Sequence, residues 1–324
     1  MNHELLLKLF EANKGEYVSG ESISHALGVS RTAVWKQIRK LEAAGYRFEA
    51  SRRLGYRLLS IPDSYDSAEL FNVMNTKVFG RRLELHDTVE STQNLARAAA
   101  EAGAAEGSLF IAEQQLSGRG RMGRGWISPK SKGIWMSMVL RPSVPIHFAP
   151  QLTLLTAVAL CRSLSRVTSL EIGIKWPNDL LIGGKKISGI LLESAAEDER
   201  LRYVIAGVGI SVNLEESDYP EELLEKAVSL RMAGGRKWDR TAIVADFLGE
   251  WERLYFLYQE QGFGPIVTLW EALSVSLGKQ ARLITPQGDI IGVPVGLEES
   301  GAIRIRLADG TLKSVFSAEM GEPQ

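Results

Sequence analysis

The sequence predicts a multidomain α+β protein with an N-terminal winged helix-turn-helix, a central body of mixed strands and helices, and a small C-terminal β-barrel. Three observations carry this prediction. Helical periodicity gives way to short strands within the first sixty residues, buried strands alternate with helical runs through the middle, and short alternating strands separated by glycine turns end the chain. The 324 residues suffice for two typical domains and a smaller third. We place the domains at 1–60, 66–275 and 276–324.

The first sixty residues have the spacing of a winged helix-turn-helix. Gly28 is expected to end a short helix, Ser30 to cap the next one, and two short strands to follow around Arg52, Arg53 and Gly55. Apolar residues at helical spacing are expected to face inward in each helix: Leu5, Leu6, Leu9 and Phe10 in the first, Ile23, Ala26 and Leu27 in the second, and Val34, Ile38 and Leu41 in the third.

Charge is unevenly distributed between this head and the rest of the chain. Residues 1–60 carry ten Lys/Arg and six Glu, a net charge of +4, so the remaining 264 residues carry −5. This asymmetry favours a nucleic-acid-binding module, although a helical adaptor with solvated basic residues is an alternative. The residues that we predict to contact DNA are Ser30, Arg31, Thr32, Trp35, Lys36, Arg39, Arg52 and Arg53.

Composition excludes several other classes of protein. Cys161 is the only cysteine, so no internal disulfide can form, and its apolar helical surroundings predict a buried residue. We see no signal peptide and no apolar run long enough to span a membrane, and we therefore expect a cytoplasmic protein. The four histidines are scattered without metal-ligand spacing, which makes a zinc site improbable.

The stretch "GRGRMGRG" (118–125) fits the dinucleotide-binding pattern G-x-G-x-x-G but lacks its context. A strand precedes it, yet no helix follows, and no Asp or Glu occurs between 114 and 170 to bind a ribose. What remains is a flexible loop with three guanidinium groups, which suit phosphate or carboxylate oxygens. A disordered basic surface loop is the alternative.

Three further motifs accompany this loop: "ESTQNLA" (90–96), "KWPNDLLIGGKKISGILLE" (175–193) and "IAGVGISVN" (205–213). In this order, and preceded by a winged helix-turn-helix, they resemble the bifunctional biotin–protein ligase/biotin-operon repressors of bacteria over essentially the whole chain. The loop and the KWPND motif are specific together, whereas either glycine pattern alone is weak.

The resemblance implies a two-step reaction and a regulatory role. Biotin's carboxylate attacks the α-phosphorus of ATP, which arrives with Mg²⁺, to give biotinyl-5′-AMP and pyrophosphate. A lysine of a biotin carboxyl carrier protein domain then takes the biotinyl group, so biotin is a substrate and not a prosthetic group. The resemblance also implies a biotin/lipoate-ligase-like central domain, an SH3-like third domain, and a homodimer that represses biotin genes by binding operator DNA.

Site residues are carried over from the family position by position. The resemblance assigns biotin to Ser91, Thr92, Gln93, Gln115, Arg119, Gly120, Arg121 and Lys186, ATP and the adenylate to Gly118, Arg121, Arg124, Trp126, Asn178 and Asp179, and catalysis to Lys186, Arg121 and Arg119. No protein-held metal is implied beyond the Mg²⁺ of ATP.

Several of these assignments have alternatives. Trp126 would also suit a plain core position, Asp179 a turn cap, and Lys186 a solvated strand, since only one of Lys185 and Lys186 can face the site. Ser211 stands where the family usually has Asn, so a ligand contact there is in doubt.

Two other functions stay open on the sequence. One is a non-enzymatic transcription regulator whose body senses a small acid, and the other is a ligase for lipoate or another acyl acid.

Overall fold

The computed structural model describes residues 3–43, 46–60 and 64–321, and the chain forms two compact units, Met1–Ser64 and Tyr65–Gln324. Each unit is described by itself. The link predicted over 60–67 includes residues 61–63, which lie outside the described residues.

The N-terminal unit, here called the head, is a winged helix-turn-helix. Its elements are α1 (His3–Ala12), α2 (Gly20–Leu27), α3 (Arg31–Ala43), β1 (Arg47–Ser51) and β2 (Gly55–Ser60). The predicted turn is confirmed: Gly28 ends α2 in the left-handed region, and the Ser30 hydroxyl accepts a hydrogen bond from Ala33 N at 3.2 Å. Gly55 is needed in the wing because a Cβ there would lie 2.1 Å from Val18 O.

A small core holds the head together. Seven apolar residues are buried in it: Leu6, Phe10, Val18, Ile23, Val34, Ile38 and Leu41. The predicted inward face of α3 is therefore confirmed. Leu5 and Ala26 are exposed, contrary to the sequence prediction, because the short α1 and α2 bury only narrow stripes centred on Leu6 and Ile23.

The second unit is built on a seven-stranded mixed sheet in the order β3-β4-β5-β9-β8-β7-β6. Its strands are β3 (Arg82–Val89), β4 (Ser108–Gln115), β5 (Ile134–Leu140), β6 (Gly173–Lys175), β7 (Asp179–Ile182), β8 (Lys185–Glu197) and β9 (Arg200–Ile210). Its helices are α4 (Ser67–Val73), α5 (Thr92–Glu101), α6 (Ala149–Thr168), α7 (Leu230–Gly234), α8 (Arg240–Gln261) and α9 (Gly264–Leu273).

Strand alternation divides this unit into layers. Phe110, Val139 and Ile205 pack with α5 on one face of the sheet, whereas their neighbours join the larger core with α6 and α8 on the other face. Cys161 is buried in this larger core, as predicted. Among the described residues, none of the helices is long and apolar enough to cross a bilayer.

A second sheet of five strands ends the chain, in the order β13-β12-β11-β10-β14. Its strands are β10 (Ala281–Thr285), β11 (Gly288–Leu297), β12 (Ile303–Arg306), β13 (Leu312–Val315) and β14 (Glu319–Gly321). The predicted glycine turns are confirmed, with Gly288, Gly301 and Gly310 all at positive φ. The pairing of β14 with β10 fixes the position of Glu319, which pairs with Ile284.

A buried carboxylate ties α8 to the segment before β3. Glu252 accepts hydrogen bonds from the backbone N–H groups of Lys77, Val78 and Phe79 at 2.7, 2.7 and 2.8 Å. Each N–H precedes or belongs to a turn that has no sheet partner, so the carboxylate satisfies donors that would otherwise be buried alone.

We predict that Glu252→Ala lowers the free energy of unfolding by about 3 kcal/mol, because three buried donors lose a charged acceptor. Urea unfolding monitored by tryptophan fluorescence measures the change. Glu260→Ala, at an exposed position of the same helix, is the control and is expected to leave the unfolding midpoint unchanged. Equal midpoints for Glu252→Ala and wild type would contradict this role.

Candidate active site

One cavity of about 270 Å³ in the second unit collects nearly all the predicted ligand residues. It lies on the face of the central sheet that carries α5, and the loop 116–133, here called the arginine loop, forms one of its walls. The predicted residues in its lining are Ser91, Thr92, Gln93, Gln115, Arg119, Gly120, Arg121, Arg124, Trp126, Asn178, Asp179 and Lys186. Ser211 also lines it.

At the N-terminus of α5, hydroxyl and amide groups form a buried network. Thr92 N and Oγ1 donate to Gln115 Oε1 at 2.9 and 3.1 Å, and Ser137 Oγ donates to Gln93 Oε1 at 2.9 Å. Ser91 is the N-cap of α5, with its hydroxyl accepting from Gln93 N at 3.3 Å. The network fixes several polar groups at one end of the cavity in a low-dielectric setting, where a polar ligand is held in a defined orientation.

The Gln93 amide is engaged within the protein as well as lining the cavity. Its Nε2 donates to the carbonyls of Leu191 and Ile205 at 3.3 and 3.2 Å. Gly207 makes this possible, because a Cβ there would lie 2.5 Å from Gln93 Oε1. In the ligand-free protein, Gln93 therefore joins α5 to β8 and β9.

Trp126 lies directly on the backbone of the sheet. Gly189 and Gly209 are cross-strand partners, and a Cβ on them would come within 3.2 Å and 2.5 Å of the indole. The ring also packs beside Tyr219 and is half-buried, with Lys186 Nζ 5.3 Å from its centroid. Trp126 is therefore both part of a local apolar cluster and a wall of the cavity.

The arginine loop is held to three different parts of the unit. Arg119 donates to Asn94 Oδ1 at 2.5 Å, Arg121 donates to Asn178 Oδ1 and Ser317 Oγ at 3.1 Å each, and Arg124 forms an ion pair with Glu319. Burial lowers the pKa of Arg121 from its ordinary value, which shows that its guanidinium sits in a partly desolvated position.

Lys186 faces the cavity and pairs with Asp179 at 2.7 Å between Nζ and Oδ1. Lys185 points to the other side, where it donates to Leu224 O at 2.8 Å. The prediction that only one of the two lysines faces the site is thereby confirmed. Asn178 completes this corner by donating from Nδ2 to Ile190 O at 3.0 Å.

Gly118 and Ser211 differ from their neighbours in the motifs. Gly118 does not line the cavity. Its carbonyl accepts from Trp126 N at 2.8 Å, and a Cβ would lie 2.6 Å from Trp126 O, so it serves the closure of the loop. Ser211 is buried beside Tyr219, whose pKa is raised to about 12 by burial. The serine adjoins that hydroxyl and acts in the opposite direction.

Sequence reasoning missed other residues of the cavity, including Ser137, the sheet glycines and Glu319. Ser137 had a signal, since it is the single hydroxyl in the otherwise apolar strand 134–140. The alternation of Gly207 and Gly209 along one strand was also visible. Glu319 had none, because only the tertiary position of β14 brings it to the arginine loop.

The predicted DNA contacts are all exposed on the head. They are Ser30, Arg31, Thr32, Trp35, Lys36, Arg39, Arg52 and Arg53. Arg31 pairs with Glu21 at 2.7 Å, Arg39 pairs with Glu42 at 3.0 Å, and the Arg39 guanidinium carbon lies 5.6 Å from the Trp35 ring centroid. These exposed ion pairs are weak and are readily exchanged for phosphate contacts.

Metal-binding clusters were sought across residues 3–43, 46–60 and 64–321. No group of three or more His, Cys, Asp and Glu residues within these ranges could hold a metal ion.

Comparison with known proteins adds a family to this geometry. The sequence profile of the biotin/lipoate A/B protein ligase family matches residues 85–211, and that of an HTH domain matches residues 2–57. The chain is 42% identical over 315 residues to the bifunctional ligase/repressor BirA of Bacillus subtilis (strain 168), with 97% of each protein covered. It is 27% identical to the bifunctional ligase/repressor BirA of Escherichia coli (strain K12), covering 94% of this chain and 93% of that protein.

A solved structure supports the same relationship. The biotin protein ligase from Aquifex aeolicus, in complex with biotin and ATP, superimposes with a TM-score of 0.64 at 31% identity and covers 74% of this chain and 98% of that one. Since the Bacillus relative matches almost end to end, with both the helix-turn-helix and the ligase regions, the chain belongs to the bifunctional ligase/repressor family of biotin protein ligases.

Proposed function

We propose that this protein is an ATP-dependent biotin–protein ligase that also represses biotin genes by binding DNA. It forms biotinyl-5′-AMP and transfers the biotinyl group to a lysine of a biotin carboxyl carrier protein domain. The observation that carries this proposal is one cavity that joins a buried hydroxyl–amide network to three arginines and a lysine–carboxylate pair.

The polar network provides the biotin end of the site. The ureido ring of biotin has a carbonyl acceptor and two N–H donors that need partners once they are buried. Thr92 and Gln115 already bind one another, and Ser91 and Gln93 lie beside them. Exchange of these internal hydrogen bonds for bonds to the ring would keep each group satisfied and select for the ureido pattern.

The cationic groups provide the reacting end. Lys186, Arg119 and Arg121 bring positive charge to the carboxylate and the α-phosphate, whose mutual repulsion opposes attack. As the new carboxyl–phosphorus bond forms, pyrophosphate leaves with the electron pair, and these cations stabilise the charge on the oxygens. We assign Trp126 to the adenine, Arg124, Asn178 and Asp179 to the adenylate, and Gly118 and Gly120 to the close approach of the loop.

The acidic groups of the cavity fit a Mg²⁺ ion that enters bound to ATP. Asp179 is paired with Lys186, and Glu319 with Arg124, so neither belongs to a ready-made cage of carboxylates. Mg²⁺ is commonly held by one or two carboxylates together with phosphate oxygens and waters. Asp179 is the side chain that we expect to approach such an ion, which would neutralise part of the charge on the phosphates.

We assign the domains as 1–60 for DNA binding, 66–275 for catalysis and 276–324 for an SH3-like barrel. Support for the barrel is the five-stranded antiparallel sheet with short glycine turns. The single buried cysteine suits the cytoplasm. We further propose that the adenylate orders the arginine loop and so favours a homodimer, which presents two heads to a palindromic operator.

Exchange of labelled pyrophosphate into ATP, measured with biotin, lipoate or octanoate added singly, tests the reaction. Exchange is expected with biotin alone. A pure sensor of small acids would give none with any of the three, and exchange restricted to lipoate would replace biotin as the substrate.

Arg121→Ala is expected to release the adenylate into solvent roughly 10-fold or more faster, because a charge-assisted bond contributes about 1.5–3 kcal/mol. The measurement is the dissociation rate of preformed biotinyl-5′-AMP, followed by tryptophan fluorescence during a chase with excess biotin. Arg236→Ala, which removes an arginine that stacks on Trp238 outside the cavity lining, is the matched control. Adenylate retention equal to that of wild type would remove Arg121 from the site.

The double variant Arg52→Ala/Arg53→Ala is expected to lower the slope of log affinity against log salt by about 2 for duplex DNA, since each arginine neutralises a phosphate. Fluorescence anisotropy over a salt series measures the slope. Lys14→Ala, at another exposed position of the head, is the control. A slope unaffected by the double variant would place the wing away from DNA.

A further inference from the structure

A second cavity, of about 210 Å³, adjoins the first within the same unit. Arg121, Trp176, Pro177, Asn178 and Ile190 line both cavities. The Arg121 guanidinium therefore stands at the boundary between them, with its Nη2 donating to Ser317 and its Nη1 to Asn178. Any group in the second cavity has a short path to the position where we place the acyl phosphate.

The walls of the second cavity are unusual in their chemistry. Leu154 from α6, Leu192 and Val204 from the sheet, and the exposed Phe316 give it a largely apolar lining. Its remaining polar groups include the hydroxyls of Thr153, Ser194 and Ser317, and no carboxylate lines it. Arg121 is the only charged side chain in the lining, so the cavity suits an aliphatic chain that ends in an uncharged polar group.

We propose that this second cavity receives the side chain of the acceptor lysine, an inference that rests on the ligase function proposed above. The four-carbon stem of a lysine matches the apolar walls, with Phe316 at the exposed end. The ε-amine then lies next to Arg121, on the far side of that guanidinium from the biotin network. The cavity thus gives the second substrate its own entrance.

Such a setting prepares the amine for attack. Apolar walls and a neighbouring cation both disfavour the ammonium form, so the lysine pKa falls and the neutral nucleophile is populated near pH 7. The carboxylates near Arg121 do not oppose this, because Asp179 is engaged by Lys186 and Glu319 by Arg124. The lowered pKa of Arg121 itself reflects the same desolvation.

The transfer step balances without any further reactant. The neutral amine nitrogen forms a bond to the acyl carbon, the bond from that carbon to the phosphate oxygen breaks, and AMP leaves with the electron pair. The nitrogen loses one proton to solvent at the open end of the cavity, where Ser194 is exposed. The product is an amide on the carrier lysine.

A carboxylate placed in the cavity tests the proposal. In Thr153→Asp, the new charge would favour the ammonium form and raise the lysine pKa, whereas the nearly isosteric Thr153→Asn adds no charge. Loading each variant with biotinyl-5′-AMP and mixing it with a biotin carboxyl carrier protein domain gives the single-turnover transfer rate as a function of pH. At pH 7 we expect transfer by Thr153→Asp to be about 10-fold slower than by Thr153→Asn. The pH midpoint should move upward, and the rates should converge at high pH.

A second position guards against a folding defect. Ser194→Asp, on the exposed end of β8, should act in the same direction as Thr153→Asp, with Ser194→Asn as its control. Pyrophosphate exchange with biotin should remain at the wild-type rate in all four variants, because the first half-reaction does not use this cavity. Normal exchange together with equal transfer rates and unshifted pH profiles in both Asp variants would overturn the lysine site. Absence of exchange in the wild-type protein would instead overturn the ligase proposal.

Discussion

The packing of Trp126 on the bare backbone of the central sheet is the contact on which the candidate site depends. Gly189 and Gly209 face each other across two strands and leave room for the indole. Because Trp126 is anchored there, the arginine loop folds back over the same face as the polar network at the start of α5. Side chains on either glycine would lift the ring and move the arginines away from the residues that we assign to biotin.

The ligand-free cavity also holds an internal balance of charge. Lys186 is paired with Asp179 and Arg124 with Glu319, while Arg119 and Arg121 bind amide or hydroxyl oxygens. An incoming polyphosphate replaces these partners instead of meeting bare cations, so part of the attraction is offset by the contacts that are lost. This exchange favours a ligand that satisfies several cations at once, which a single small anion does not do.

Much of this arrangement could be predicted from the sequence, for reasons that differ between regions. Local signals determined the head, where Gly28, Ser30 and the spacing of Val34 and Ile38 specify a turn and a buried face without reference to distant residues. The motifs gave the candidate cavity because the strands that carry them are neighbours in one sheet. Glu319 could not be found in this way, since its place depends on a three-residue strand that pairs across the C-terminal sheet. Gly118 was assigned to the nucleotide, although its contacts are those of a residue that closes the loop.

Arg121 has a place in the structure that explains why a ligase of this kind can use two substrates of opposite character. On one side lie the groups suited to a carboxylate and a phosphate, which require positive charge nearby. On the other side lies an apolar cavity, in which the same guanidinium discourages a second cation. One desolvated arginine thus stabilises the anionic intermediate and keeps an approaching amine in its neutral form. The two demands are compatible because the guanidinium separates the two cavities and belongs to both.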